Sequence, residues 1–438
     1  MIPPTPSGCE YASNAVEFGP WLHATTRRQR SKSMALRIIR ASLFCLAALT
    51  SAAIAQEHVK PSIQYVPLDA PEGMSQAVIV QGMALVHTRQ LLPLDRDGNV
   101  VGEASADQQI QQVLSNLEAV LADAGSGMDK LVRVHVYALS TQIVDRFRQQ
   151  LGQRLGPAVR PAITSVLTPL PHGKAVVAVD AVAGALPRGN TVALRRCPAV
   201  AGHPECADAA VLPCGGVAYL SGQPDEGTLT ESAVTRSMST LMKTLQHLKL
   251  SPRHVVQVKV FLRPMTSADE VRRQVQRFFP GQLAPPMVFV EWLAAMPVEI
   301  EMIAQFPLPD KPAKPVEYFT PPEVRPSNIF SKVALLQTDR AIYISGIYAR
   351  QPSRGEPQAL YVFGQLEEIL AKVGSDMRHL VKGTYYVSDD DAARWVDRTR
   401  PRYYDPTCPP AASKVMVHGV GQSQRTMTID MIAVGRGP

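Results

Sequence analysis

The chain repeats itself at an interval of about 125 residues, and a repeat of that length decides what it can fold into. Leu131-Val-Arg-Val-His-Val-Tyr-Ala-Leu139, His254-Val-Val-Gln-Val-Lys-Val-Phe-Leu262 and Leu380-Val-Lys-Gly-Thr-Tyr-Tyr-Val-Ser388 are each rich in β-branched and aromatic residues. Each follows an amphipathic helical pattern, and their starts lie 123 and 126 residues apart. Pro161-Ala162, Pro285-Pro286 and Pro410-Ala411 recur at 124 and 125 residues, each opening another strand-like run. A period this long describes whole domains rather than the turns of a solenoid. The 438 residues therefore read as three copies of one unit.

Periodicity gives the order of elements within a copy. In the first, strands are expected around Ala77 to Val80 and Met83 to Thr88. Ile110, Val113, Leu114, Leu117, Val120 and Leu121 then follow at the spacing of a one-sided helix. Ser105 and Gln108 form a capping-box pattern at its start, and Gly125 is its stop. A strand at Leu131, a helix from Thr141 to Leu155 and strands at Ala162 to Leu167 and Val176 to Val182 complete the copy. Ser267 with Glu270 predicts a capping box for the second helix of copy two, and Gly374 ends the first helix of copy three. The plan is an α+β layer, one sheet with both helices on one face, so three units can cover one another's open faces.

Around the copies, Pro-rich and then basic residues 1–33 read as a disordered leader. Arg37 and Arg40, the apolar stretch from Ala41 to Leu49 and the small residues up to Ala55 read as a signal peptide (34–55) cleaved after Ala55. That stretch is shorter than the ~20 residues a membrane span requires, and no later run spans a bilayer. The expected location is periplasmic or secreted. Domains are expected at 62–186, 190–306 and 327–436, with a linker at 307–326 containing seven prolines. Without residues 1–55 the formal charge falls from +7 to +3 and no Lys/Arg run remains, which argues against a nucleic-acid partner. Cys197 and Cys206 either pair in an oxidising compartment or remain thiols. The ten histidines have no metal-ligand spacing, and no phosphate loop, dinucleotide fingerprint or GxSxG elbow calls for a cofactor or a serine nucleophile.

Tyr219-Leu-Ser-Gly-Gln223 and Tyr343-Ile-Ser-Gly346, Asn116 to Gly125 before Val132-Arg-Val-His-Val136, and Val298-Glu-Ile-Glu-Met-Ile-Ala304 resemble the Rid/YjgF (reactive intermediate deaminase) family in order and in triplicate. The resemblance implies chorismate-mutase-like domains that form a trimer with ligand clefts at its interfaces. Here it implies a monomeric single-chain pseudo-trimer.

It also implies an Arg that holds a substrate carboxylate, through a bidentate pair, and a Glu that positions the water hydrolysing an imine or enamine. The Arg position falls on Ile163, Met287 and Ala412, and the Glu position on Ala178, Glu299 and Thr428, so Glu299 alone is kept. Asp180, Glu301 and Asp430 lie two residues further along the same faces. The candidate catalytic residue is therefore Glu299. The candidate ligand-binding residues are Ser221, Gly222, Ser345, Gly346 and Lys414, the last as a substitute cation with His418 further along its face. The expected function is binding of a small imine, enamine or carbonyl metabolite at inter-domain clefts, with hydrolytic deamination. The alternatives are a non-catalytic binding or scaffolding protein, and an endoribonuclease-like activity.

Overall fold

In the computed structural model, residues 60–436 are described except 230, 231, 323, 325 and 328, so the leader and the signal peptide lie outside the described residues. The first repeat runs β1 (Ser62–Val66), β2 (Ala77–Gln81), β3 (Ala84–Thr88), α1 (Ala106–Asp123), β4 (Leu131–Ala138), α2 (Thr141–Leu155), β5 (Ala162–Leu167) and β6 (Val177–Ala185). The second runs β7 (Ala193–Arg195), β8 (Ala209–Leu212), β9 (Gly216–Asp225), α3 (Ala233–His247), β10 (Val255–Leu262), α4 (Ala268–Gln276), β11 (Met287–Glu291) and β12 (Val298–Phe306). The third runs β13 (Val316–Phe319), β14 (Val333–Leu336), β15 (Arg340–Ile347), α5 (Gly355–Lys372), β16 (Leu380–Val387), α6 (Asp390–Tyr403), β17 (Ala411–Met416) and β18 (Met427–Ala433).

Local chemistry sets the helix ends. The Ser105 side chain accepts from the Gln108 amide, and Gly125 takes φ +77°, the left-handed turn that ends α1. Gly374 does the same after α5 at φ +74°. Asp389 caps α6 by accepting from the Ala392 amide at 2.7 Å. The expected Ser267–Glu270 box does not form. A 3₁₀ turn, Met265–Ser267, runs straight into α4, leaving Ser267 with no cap bond, and Glu270 pairs with Arg273 instead.

The three six-stranded sheets have the orders β5-β4-β6-β3-β8-β7, β11-β10-β12-β9-β14-β13 and β17-β16-β18-β15-β2-β1. Each sheet takes its last two strands from another repeat. A two-residue link such as Gly82-Met83 ordinarily closes a hairpin, but β2 pairs with β15 and β3 pairs with β8. The first two strands of repeat two complete the sheet of repeat one, those of repeat three complete that of repeat two, and those of repeat one complete that of repeat three. Strand β13 lies inside the Pro-rich stretch 307–326. The exchange is cyclic, so the chain closes on itself within one compact unit, Val59–Pro438.

On one face of each sheet, the helices of one repeat bury a core to which the donated strands also contribute. The opposite faces meet one another. Tyr219, Tyr343, Val182, Val256 and Ile432 fill one apolar layer between the repeats, and Tyr137, Phe261, Tyr386 and Val415 fill another. Cys197 and Cys206 are buried thiols, and Cys206 Sγ accepts from Gln276 Nε2 at 3.0 Å.

Candidate active site between repeats two and three

Strand alternation turns Arg133 and His135 of β4, Gln257 and Lys259 of β10, and Lys382 and Thr384 of β16 toward the shared interior. The last strands add Asp180, Glu299, Glu301, Thr428 and Asp430. All are buried, in a polar belt between the two apolar layers. A buried charge persists where it is paired, and here the partners come from different repeats. His135 Nδ1 lies 3.1 Å from Asp180 and its Nε2 lies 2.7 Å from Asp430 of repeat three. Tyr137 donates to Asp180 at 2.5 Å. Burial alone would raise both aspartates. His135 and Lys259 outweigh it at Asp180, and His135 with Arg133 and Lys259 does so at Asp430, so both stay well below the usual carboxylate range.

The same belt builds a different arrangement at the junction of repeats two and three. Lys382 Nζ donates to Glu301 at 2.7 Å and Ser413 donates to the same oxygen at 2.5 Å. Lys382 and Lys259 overcome burial and hold Glu301 below its ordinary value. Glu299, two residues earlier on the same face, has its carboxyl pushed up to about 7. Burial is the main cause and the charge of Glu301 adds to it, while Ser413, Lys382 and Lys332 pull the other way. Two neighbouring carboxylates are thus driven apart, one ionised and one poised to exchange a proton near neutrality.

Gly222 makes room for this carboxyl. A Cβ at that position would lie 1.8 Å from Glu299 Oε1, so any side chain would evict it. The glycine sits in a β-bulge, where Ser221 and Gly222 together face Glu301 across β9 and β12. Ser345 and Gly346 repeat the bulge opposite Asp430. The bulge aims each serine at the next repeat. Ser221 Oγ donates to Ser331 at 2.6 Å and accepts from the Ala412 amide at 2.7 Å; Ser345 Oγ donates to Ser75 at 2.5 Å and accepts from the Ile163 amide at 2.8 Å. These hydroxyls are joints between repeats, already satisfied by backbone.

The three junctions have diverged. Between repeats three and one, Gly346 remains but Thr428 stands in the glutamate position and bonds the Ile347 carbonyl. Between repeats one and two, Gln90 occupies the glycine position, and its amide bonds the Phe289 backbone through both nitrogen and oxygen. A cavity of about 350 Å³ remains outside that plug, lined among others by Arg89, Arg272, His203, Met287 and Phe289.

Lys414 is not a cation of the Glu299 site. The strand period that turns Ser413 inward turns Lys414 toward the helices, where it pairs with Asp397 of its own repeat. It lines a separate cavity of about 500 Å³ beside Arg263 and Trp292. Likewise Ile163, Met287 and Ala412 pack into the helix-side cores rather than the interior. His418 pairs with Glu291 at 2.7 Å. The cations that do reach Glu299, Lys382 and Lys332, were missed because their partner strand belongs to another repeat. The alternation of β16 marks Lys382 as inward-facing, but which carboxylate it meets is not a local property.

The family model for endoribonuclease L-PSP matches the chain three times, at residues 67–184, 208–306 and 322–435. A RutC family protein of Synechocystis sp. is 30% identical over 123 residues, which is 28% of this chain and 93% of that protein. Among solved structures, the Rid-family protein YyfB of Yersinia pestis is 25% identical, covering 28% of this chain and 98% of its own, with a TM-score of 0.25. A YjgF-family protein of Neisseria meningitidis is 21% identical, covering 28% and 97%, with a TM-score of 0.22.

Proposed function

Because this chain belongs, through all three repeats, to the endoribonuclease L-PSP family of YjgF/Rid proteins, we propose that it binds small imine, enamine or carbonyl metabolites at the junction of repeats two and three and hydrolyses the C=N bond there. One observation carries the reading: Glu299 is buried, titrates near 7 and is flanked by cations of the third repeat. A group with that proton affinity is matched to acid–base work at neutral pH, an effect on the order of 10²–10⁴-fold in rate. The other two junctions hold no glutamate at this position and act as binding clefts or as structure.

The test is ammonia release from freshly generated 2-imino acids, comparing wild type with Glu299→Ala. Wild type should accelerate release and the variant should lose about 100-fold or more. Since the ionised carboxylate is the form that takes a proton from water, the Glu299-dependent rate of direct attack by water should rise with pH through about 7. Wild-type rates equal to buffer would end the hydrolytic reading and leave a binding protein.

Export belongs to the same proposal, on the basic, apolar and small-residue pattern that ends at Ala55. Terminal sequencing of protein recovered from the periplasm or medium should begin at Gln56. A cytoplasmic protein that keeps residues 1–55 would contradict it.

A further inference from the structure

We propose that Lys332 attacks the ligand carbon at this junction and holds it as a Schiff base, with Glu299 carrying the proton, an inference that rests on reading the site as one for carbonyl or imine ligands. Residue 332 immediately precedes β14, the strand that repeat three donates to the sheet of repeat two. Its carbonyl accepts the Ser221 amide at 2.9 Å, as the carbonyls of Gln76 and Asp208 accept Ser345 and Arg89 at the other junctions. Three pseudo-equivalent positions thus carry Lys, Gln and Asp. At the junction of repeats one and two the Asp208 side chain reaches Arg89 at 2.6 Å, which shows that this position addresses the junction.

Strand alternation sets the direction of the lysine. Val333 and Leu335 enter the helix-side core, whereas Ala334 and Leu336 join the apolar layer between repeats. Lys332 shares the face of the latter pair, which is also the face of Glu299, since Val298 and Ile300 enter the helix-side core. The strand between them, β9, presents Gly222 against the carboxyl, so no side chain of that residue stands between the two. The amine rests over the Phe330 ring, 4.7 Å from its centroid, and is half-buried.

The charges of Lys332 and Glu299 act on each other. Burial pulls the lysine below its ordinary value against the opposing pull of Glu299, which enlarges the neutral, nucleophilic fraction. Lys382 and Lys414, by contrast, are tied to Glu301 and Asp397.

The step balances without another reagent. The neutral amine adds to a carbonyl carbon, and one proton moves from nitrogen to the new hydroxyl oxygen. Glu299 in its acid form protonates that hydroxyl, water leaves, and the C=N bond to Nζ forms. From an imine the same addition gives a geminal diamine, and the group protonated and expelled is ammonia. Water then adds to the lysine imine, returns the proton to Glu299, and releases the carbonyl product and the free amine.

Full-length protein incubated with pyruvate and sodium cyanoborohydride should gain one reduced adduct per chain, mapped by peptide mass to Lys332. Lys332→Arg should lose it, and Glu299→Gln should slow it at least about tenfold, with amide hydrogen exchange confirming that each variant keeps the wild-type fold. No adduct, or label spread over lysines without preference for Lys332, overturns the proposal. So does Glu299-dependent ammonia release that persists undiminished in Lys332→Arg, a result that leaves the hydrolytic reading standing. An adduct at Lys332 without ammonia release supports the covalent step and ends the hydrolytic reading.

Discussion

Replacing His135 with alanine is expected to cost about 3–5 kcal/mol of folding stability, the range for removing one partner from a buried ion network. Both ring nitrogens lie within hydrogen-bond distance of buried carboxylates, 3.1 Å from Asp180 and 2.7 Å from Asp430. Its loss leaves Asp180 and Asp430 buried in the same interior with their shared hydrogen-bond partner removed. Because the two aspartates come from repeats one and three, the damage should fall on their junction.

The pH dependence has a definite sign. A carboxylate held below its unfolded value contributes stability that is fully present above about pH 4 and is lost as pH falls through the folded value. The deficit of His135→Ala relative to wild type should therefore be largest at neutral pH and shrink below about pH 4. Asp430→Asn added to His135→Ala should recover part of it, since one uncompensated charge disappears. Urea unfolding of the three proteins between pH 3 and pH 7 measures this. A His135→Ala deficit under 1 kcal/mol at pH 7 would mean that the network is not what holds the repeats together.

How much of this was legible in the sequence depends on how far apart the interacting residues lie. Helices α1 and α5 announced themselves through one-sided apolar spacing and their terminal glycines, because those signals act within one or two turns. The inward direction of Asp180, Glu301 and Asp430 followed from the two-residue period of a strand. Side-chain partnership was another matter. Lys382 meets Glu301 across 81 residues and His135 meets Asp430 across 295, and no local pattern encodes which sheet a strand will join. Lys414 shows the same limit, because the expectation placed the Ala412 face in the cleft when edge strand β17 turns that face to the helices. The bulge at Ser221-Gly222 was also out of reach, although the Ser-Gly pair and its copy at Ser345-Gly346 are its visible trace.

A chain shortened to begin at Gly82 should lose the third repeat rather than the first. The deletion removes β1 and β2, which open repeat one in sequence but complete the sheet of repeat three, where Ala77 and Ile79 belong to its helix-side core. Val78, Ile79 and Val80 are each buried, and at roughly 1.5–3 kcal/mol for a fully buried side chain of this kind their loss is on the order of 5–9 kcal/mol. That is comparable with the whole stability of an ordinary domain, about 5–15 kcal/mol. The cut also leaves β15 as an open edge with unpaired amides, a template for association between chains. Amide hydrogen exchange should show residues 340–347 losing protection while residues 84–88, still paired with β6 and β8, keep more of theirs. The intact chain, with its ring closed by its own first strands, should run in solution as a monomer, and the shortened one should not. Protection lost first at residues 84–88 would show that β2 pairs within its own repeat, and the cyclic exchange that brings Lys332 to the sheet face of Glu299 would have to be given up with it.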